Sequence, residues 1–462
     1  MLRTVVAALA ALTLCLAPSA SPAETRVPES QAEISLSFVP LVKQATPAVV
    51  NIYARRTVET RSPFAGDPLF GNLFREFGGR PRVQNSLGSG VILSDDGIVV
   101  SNYHVVGQAT DIRVVLNTGE EYAATVLLGD EESDLAILKL EGAGDMPYLA
   151  LRDSDTVEVG ELVLAIGNPF GVGQTVTSGI VSGLARSGTA TGNARGYFIQ
   201  TDAPINPGNS GGALIDVNGD LIGVNTSILT RSGGSNGIGF AIPSALVAQF
   251  VEQARAGNDG FARPWAGMTG QPVDADLSES LGLGLPGGVL IAAIHAESPF
   301  ATAGLGVGDV VLAVDGQPVN TPPEMIYRMS VAGLGHVARI RYLHDGERHE
   351  AEVEMIAAPE TPPRDAVTLD DRAVLPGLSL ARVNPAVATE LDLPMAAEGV
   401  VVTDPGPYAA RIGLRRGDIL LMIDGRAVTD PDRVDRLLRR AAPRVEIEAL
   451  RGNRRAILRF RT

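Results

Sequence analysis

Across residues 42–244 the chain alternates short apolar runs with glycine, aspartate and asparagine, a pattern that predicts many short β-strands joined by tight turns. Residues 89–93, 98–100 and 162–166 are such runs, and Asp95-Asp96-Gly97 has the composition of a hairpin turn between the first two. Strands this short and numerous fit a sandwich or a barrel. The period changes at residues 245–256, where Leu246, Val247, Phe250 and Val251 recur at helical spacing. Gly257-Asn258-Asp259-Gly260 stops that helix and reads as a linker.

The rest of the chain repeats itself. Gly304, Gly308, Asp309, Asp315 and Gly316 return as Gly413, Gly417, Asp418, Asp424 and Gly425, all at one offset of 109 residues. The copies lie too far apart to stack as a solenoid does, so this is a duplicated domain. The expected modules are residues 262–357 and 373–462, with a proline-rich acidic linker at 358–372. Residues 62–84 follow neither period. Phe64, Phe70, Phe74 and Phe77 lie there among glycines and prolines and need a covering surface, either their own domain or another subunit.

The 462 residues suffice for roughly three domains. Net charge is −15 with no lysine or arginine run, which argues against nucleic acid and a polybasic membrane anchor but not against polypeptide substrates. Arg3, the apolar stretch 4–16 and the small residues Ser21-Pro22-Ala23 read as a cleavable signal peptide over residues 1–23, with Ala20 a rival cleavage point. The apolar stretch is shorter than the roughly 20 residues of a membrane span, so no stable membrane anchor is expected. The only cysteine, Cys15, lies inside this segment, in Leu12-Thr13-Leu14-Cys15, where Leu14 departs from a lipoprotein signal. The exported chain then has no thiol, which excludes disulfides and cysteine catalysis.

One serine stands out. Gly208-Asn209-Ser210-Gly211-Gly212 gives a hydroxyl on a turn whose lack of side chains lets backbone N–H groups converge on an oxyanion. A serine nucleophile needs a base. Of the histidines, only His104 precedes Ser210; His295, His336, His344 and His349 lie well downstream. A histidine base needs a carboxylate on Nδ1. Asp111, Asp130, Asp134, Asp153, Asp155 and Asp202 are all candidates, and spacing does not choose among them. Asp134 has the best context, preceding the apolar run 135–138. No metal or other cofactor is expected: His344 and His349 flank Asp345-Gly346-Glu347, which reads as a hairpin turn, and Gly171-Val172-Gly173 lacks a surrounding βαβ unit.

Ser101-Asn102-Tyr103-His104-Val105-Val106, Ser133-Asp134-Leu135-Ala136-Ile137-Leu138 and Thr201-Asp202-Ala203-Pro204-Ile205-Asn206-Pro207-Gly208-Asn209-Ser210 together strongly resemble the HtrA/DegP family of exported serine proteases. The resemblance implies a mainly β chain: a chymotrypsin-like double β-barrel protease domain over residues 36–258, followed by two PDZ domains. It implies a His104–Asp134–Ser210 triad, in the order of that fold, and an oxyanion hole at Gly208-Asn209-Ser210 from the N–H groups of Gly208 and Ser210. Val224, Asn225, Thr226 and Ser227 match the family's substrate-pairing strand, with Ile238 and Phe240 walling the specificity pocket. No acidic residue stands in either segment, so small or medium aliphatic side chains are the expected preference. PDZ domains add a C-terminal peptide strand to a sheet edge; the matching loops are Trp265-Ala266-Gly267-Met268 and Pro376-Gly377-Leu378-Ser379. The implied partners are unfolded or misfolded polypeptides, C-terminal peptides and further copies of the chain, as a trimer or a multiple of trimers in the periplasm. The phenylalanine stretch resembles the family's regulatory loop. The competing class is a chaperone or binding protein in which the barrels serve as scaffold.

Overall fold

The first barrel forms from strands whose alternate residues point inward: β1 (Val49–Val58), β2 (Arg82–Ile92), β3 (Ile98–Ser101), β4 (Asp111–Val115), β5 (Glu121–Asp130) and β6 (Leu135–Leu140). They close in the order β1-β2-β3-β6-β5-β4 around Ile52, Val91, Val100, Val114 and Ile137, all fully buried. The Asp95-Asp96-Gly97 turn joins β2 to β3 and needs glycine, because Gly97 has φ +84°. A second barrel closes in the order β10-β11-β12-β9-β8-β7. Its strands are β7 (Leu162–Gly167), β8 (Thr175–Ser187), β9 (Tyr197–Thr201), β10 (Ala213–Ile215), β11 (Leu221–Ile228) and β12 (Gly239–Pro243). The computed structural model describes residues 38–58, 82–167, 173–187, 197–206, 208–228, 237–280, 282–283 and 286–462. The segment 1–23 expected as a signal peptide, the four phenylalanines of the 62–84 stretch, Gly171 and Val172 lie outside the described residues.

A four-residue helix, α1 (Tyr103–Val106), carries His104 off the end of β3. After β12, α2 (Ser244–Arg255) buries Leu246, Val247 and Phe250, one residue displaced from the stretch the periodicity predicts. The segment beyond is not a free linker. Gln253 accepts the Ala262 N–H at 2.8 Å and donates to its carbonyl at 3.0 Å. Phe261 stacks on Phe250 at 3.9 Å, a contact worth about 0.5–1.5 kcal/mol beyond its burial.

Each C-terminal module is one antiparallel sheet with a helix against it. Module 1 has the order β13 (Met268–Pro272), β14 (Val289–Ile294), β15 (Val310–Val314), β17 (Val337–His344), β18 (Glu347–Glu354), with β16 (Gln317–Pro318) beside β15 and helix α3 (Pro322–Ala332). Module 2 runs β19 (Val367–Thr368), β20 (Ser379–Arg382), β21 (Val400–Asp404), β22 (Ile419–Ile423), β24 (Arg444–Arg451), β25 (Arg454–Arg461), with β23 (Arg426–Ala427) beside β22 and helix α4 (Val434–Ala441). The repeated residues have a conformational reason. Asp315-Gly316 and Asp424-Gly425 are the paired left-handed residues of a two-residue hairpin turn, with φ +48° and +82° in one copy and +48° and +71° in the other.

Module 1 sits on the second barrel through α3. Tyr327 stacks on Tyr197 of β9 at 3.8 Å, and the Arg328 guanidinium covers both rings while pairing with Asp155. Burial pushes the Tyr327 hydroxyl well above the usual phenol range, which keeps it neutral.

Candidate active site

The left-handed backbone of Asp134 (φ +54°) ends the turn between β5 and β6 and turns its carboxylate toward α1. Both carboxylate oxygens lie 2.9 Å from His104 Nδ1, and Oδ1 also accepts the His104 backbone N–H at 3.0 Å. A carboxylate only accepts, so Nδ1 carries the proton and a neutral imidazole keeps its lone pair on Nε2. The Asp134 carbonyl accepts from the Tyr103 N–H at 3.1 Å and from Asn102 Nδ2 at 2.9 Å, which fixes the two chains on either side of the pair. Asp134 is largely covered, with 21% of its side chain exposed, while His104 is 52% exposed and open to a substrate. Among the other candidate carboxylates, Asp130 pairs with Arg263, Asp155 with Arg328, and Asp202 accepts the Ile180 N–H; none bonds His104.

Ser210 is brought to this pair by the β9–β10 turn of the second barrel, which hydrogen-bonds to β2 of the first. Its carbonyl accepts the Ser89 N–H of β2 at 2.9 Å, and Ser89 Oγ donates to the Gly208 carbonyl at 2.7 Å. Gly211 adopts φ +83°, and a Cβ there would lie 2.1 Å from the Ser89 carbonyl oxygen, so glycine is obligatory. No backbone acceptor among the described residues takes the N–H of Gly208 or Ser210. Asn209 is buried, its N–H bonded to the Asn206 carbonyl, and neither atom of its side-chain amide has a partner. Room for that amide exists because residue 167 is glycine: a Cβ there would come within 2.7 Å of Asn209 Oδ1.

The Ser210 hydroxyl does not bond His104. It donates to the Thr226 carbonyl at 2.9 Å, and Thr226 Oγ1 in turn donates to Asp134 Oδ2 at 2.7 Å. Thr226 therefore touches two of the candidate triad residues, a role with no signal in the sequence. Asn102, two residues before His104 in its motif, was findable there; Ser89 carries no sequence signal. Within the expected substrate strand, Val224 is fully buried and Asn225, on the opposite face of β11, is also buried and spends Nδ2 on the Ala213 carbonyl, so neither side chain is open to a substrate. Ser227 pairs through its backbone with Phe240. Phe240 is also core, tilted against Phe198 at 5.9 Å, whereas Ile238 is half-buried.

In module 1 the loop Trp265-Ala266-Gly267-Met268 leads into β13, the edge of its sheet. Ser298 Oγ holds the Ala266 carbonyl at 2.6 Å, and the His295 N–H holds that of Gly267 at 2.7 Å. Trp265 meets the His295 ring edge-on at 5.5 Å. The N–H groups of Ala266 and Gly267 donate to no backbone acceptor among the described residues. Module 2 differs. The Gly377 N–H donates to the Leu369 carbonyl at 2.9 Å, Leu378 is fully buried, and β19 lies on the free side of β20. The stretch 358–372, expected as a spacer, covers that edge of the module's own sheet.

Two six-stranded barrels, with a histidine–aspartate pair and a glycine-flanked serine between them, define a trypsin-like serine endopeptidase, here followed by two PDZ modules. Family models agree: a trypsin-like peptidase domain matches residues 88–224, and PDZ domains match residues 249–355 and 399–451. A probable periplasmic serine endoprotease DegP-like from Halomonas elongata is 40% identical over 87% of each chain. A probable periplasmic serine protease do/HhoA-like from Haemophilus influenzae is 35% identical over 90% of each. Among solved structures, the HtrA-type protease AlgW with decapeptide is 39% identical, covering 71% of this chain and all of its own, with a TM-score of 0.53. The chain belongs to the HtrA/DegP family of serine endoproteases.

Proposed function

We propose that the chain is an ATP-independent periplasmic protease that degrades misfolded or damaged exported proteins. In this reading Ser210 is the nucleophile, His104 its general base and Asp134 the carboxylate that fixes the imidazole. The observation that carries it is the bond from His104 Nδ1 to Asp134, which leaves Nε2 free to take a proton from Ser210. The Gly208 and Ser210 N–H groups would stabilise the tetrahedral oxyanion. Their freedom from backbone acceptors supports that role.

A substrate strand pairing with β11 would compete for the Thr226 carbonyl that now holds the Ser210 hydroxyl, so that binding turns the hydroxyl toward His104. Cleavage after small or medium aliphatic residues fits a pocket walled by Ile238 and Phe240, with no carboxylate in either segment. Module 1 is the site for C-terminal peptides, since β13 is an open edge and its loop offers free N–H donors. The domain boundaries are 36–258 and 262–357, with the second module starting by β19 at Val367 and running to 462, behind a cleaved signal peptide over residues 1–23. Export to the periplasm agrees with the names of the relatives, and no helix among the described residues is long and apolar enough to cross a membrane. Assembly is as a trimer or a multiple of trimers, and chaperone activity accompanies proteolysis. Casein cleavage by the purified protein is expected to vanish in Ser210→Ala with the fold intact; substantial cleavage by that variant contradicts the reading.

A further inference from the structure

The carboxylate that does not join the triad has a cation of its own. Asp130 opens the turn that Asp134 closes, and it does two things there. Its Oδ2 accepts the Ser133 N–H at 2.6 Å, capping the turn from within. It also takes a two-pronged contact from Arg263: Nη2 to Oδ2 at 2.5 Å and Nη1 to Oδ1 at 3.2 Å. The same guanidinium donates to Ser133 Oγ at 2.6 Å and pairs with Glu132 at 3.5 Å. The pair is mostly covered, at 21% and 16% side-chain exposure, so water screens it less than a surface ion pair.

Arg263 does not belong to the barrel it grips. It stands in the segment that leads into module 1, between Ala262, held to α2 by Gln253, and Trp265, whose N–H donates to the Ile356 carbonyl of module 1 at 2.7 Å. Phe261 fixes one flank by stacking on Phe250, and its ring lies under the guanidinium at 5.1 Å. The turn being gripped is crowded with like charge, at Asp130, Glu131, Glu132 and Asp134. A guanidinium fork offsets that repulsion and holds a planar carboxylate in one orientation.

We propose that Arg263 is a positioning residue for Asp134: by clamping the Asp130–Ser133 turn it sets the carboxylate under His104, and it ties that placement to the entry of the first PDZ module. The proposal rests on the triad reading above. Arg263 touches neither substrate nor imidazole and acts only through the turn.

The test is steady-state cleavage of a short peptide p-nitroanilide ending in valine by the full chain, normalised to the number of sites that a fluorophosphonate titrates. Arg263→Gln should lower kcat by roughly tenfold to a hundredfold, the scale of a small misplacement of catalytic groups, with KM little changed. Arg263→Lys, which keeps the charge but not the fork, should lie between the two and covers the case in which the glutamine variant folds poorly. Arg263→Gln should add little in an Asp130→Asn background, because both act through one contact. The downfield proton resonance of His104 Nδ1–H should shift or broaden in Arg263→Gln, which a remote packing defect would not cause. An unchanged kcat per titrated site, or a loss that is additive with Asp130→Asn and leaves the resonance in place, overturns the proposal. Its failure would leave the dependence on Ser210 intact, whereas an active Ser210→Ala would instead remove the reading beneath it.

Discussion

Asp130 and Asp134 bound the same turn, yet only Asp134 reaches the imidazole, because its left-handed backbone ends the turn against α1. From the sequence the two were both open candidates, and the apolar run after Asp134 favoured it only by context. Nothing in the spacing could reveal that the guanidinium holding Asp130 arrives from a segment far along the chain. The difference is measurable. Asp134→Asn keeps the size of the side chain but offers an amide where Nδ1–H needs an acceptor, so kcat should fall on the order of 10⁴-fold, as in serine proteases generally. Asp130→Asn should cost far less. A silent Asp134→Asn beside a crippling Asp130→Asn would move the triad to the other carboxylate.

The strands of both barrels, the helix after them and the duplicated modules were legible as elements because each rests on local signals: alternation, helical spacing and the paired left-handed residues of the repeat. The segment 358–372 was misread for a related reason. Its proline and acidic composition looks like a spacer, and β19 has only two residues, too few for alternation to register. Its pairing with β20, Val367 to Leu380 and Thr368 to Ser379, is a contact between segments that composition does not register.

The two modules also diverge where they are most alike. Asp309 and Asp418 are both buried and accept a turn N–H, from Gly306 at 2.7 Å and Arg415 at 2.9 Å. At the same sheet position the partner is His344 in module 1 and Arg451 in module 2, each 2.7 Å from its aspartate. The bond to Asp309 raises His344 above its ordinary value of 6.5, with Asp345 nearby adding to the shift and the His349 ring 6.0 Å away. A group raised on folding contributes its stability below the unfolded value and loses it as pH climbs through the folded one. Arg451 stays charged throughout. Hydrogen exchange of the full chain, corrected for intrinsic rates, should show residues 304–311 losing protection relative to residues 413–420 as pH is raised from below 6.5 to well above it. A constant ratio across that range, or an identical trend in His344→Gln, would count against the switch.

At the scale of the whole molecule, two arginines help to join module 1 to the protease domain. Arg328 and Tyr327 meet Asp155 and Tyr197 on the second barrel, and Arg263 grips the turn of the first. β9 runs from Tyr197 into the Ser210 turn, and the β5–β6 turn carries Asp134, so both contacts adjoin segments that supply the candidate triad. Sequence showed the modules but not these joints, since aromatic stacking and a guanidinium fork leave no periodic trace. Net charge of −15 argues against nucleic acid, while the peptidase and PDZ domains make polypeptide the partner class, to be cut in the cleft between the barrels. Proteolysis by this chain turns on one hydroxyl being a nucleophile activated by one histidine. Intact-mass and peptide mapping after treatment with a fluorophosphonate tests that most directly. One adduct per chain on Ser210, absent in His104→Ala, is the predicted result; casein cleavage by a chain that takes no adduct, or takes it on another residue, would contradict it.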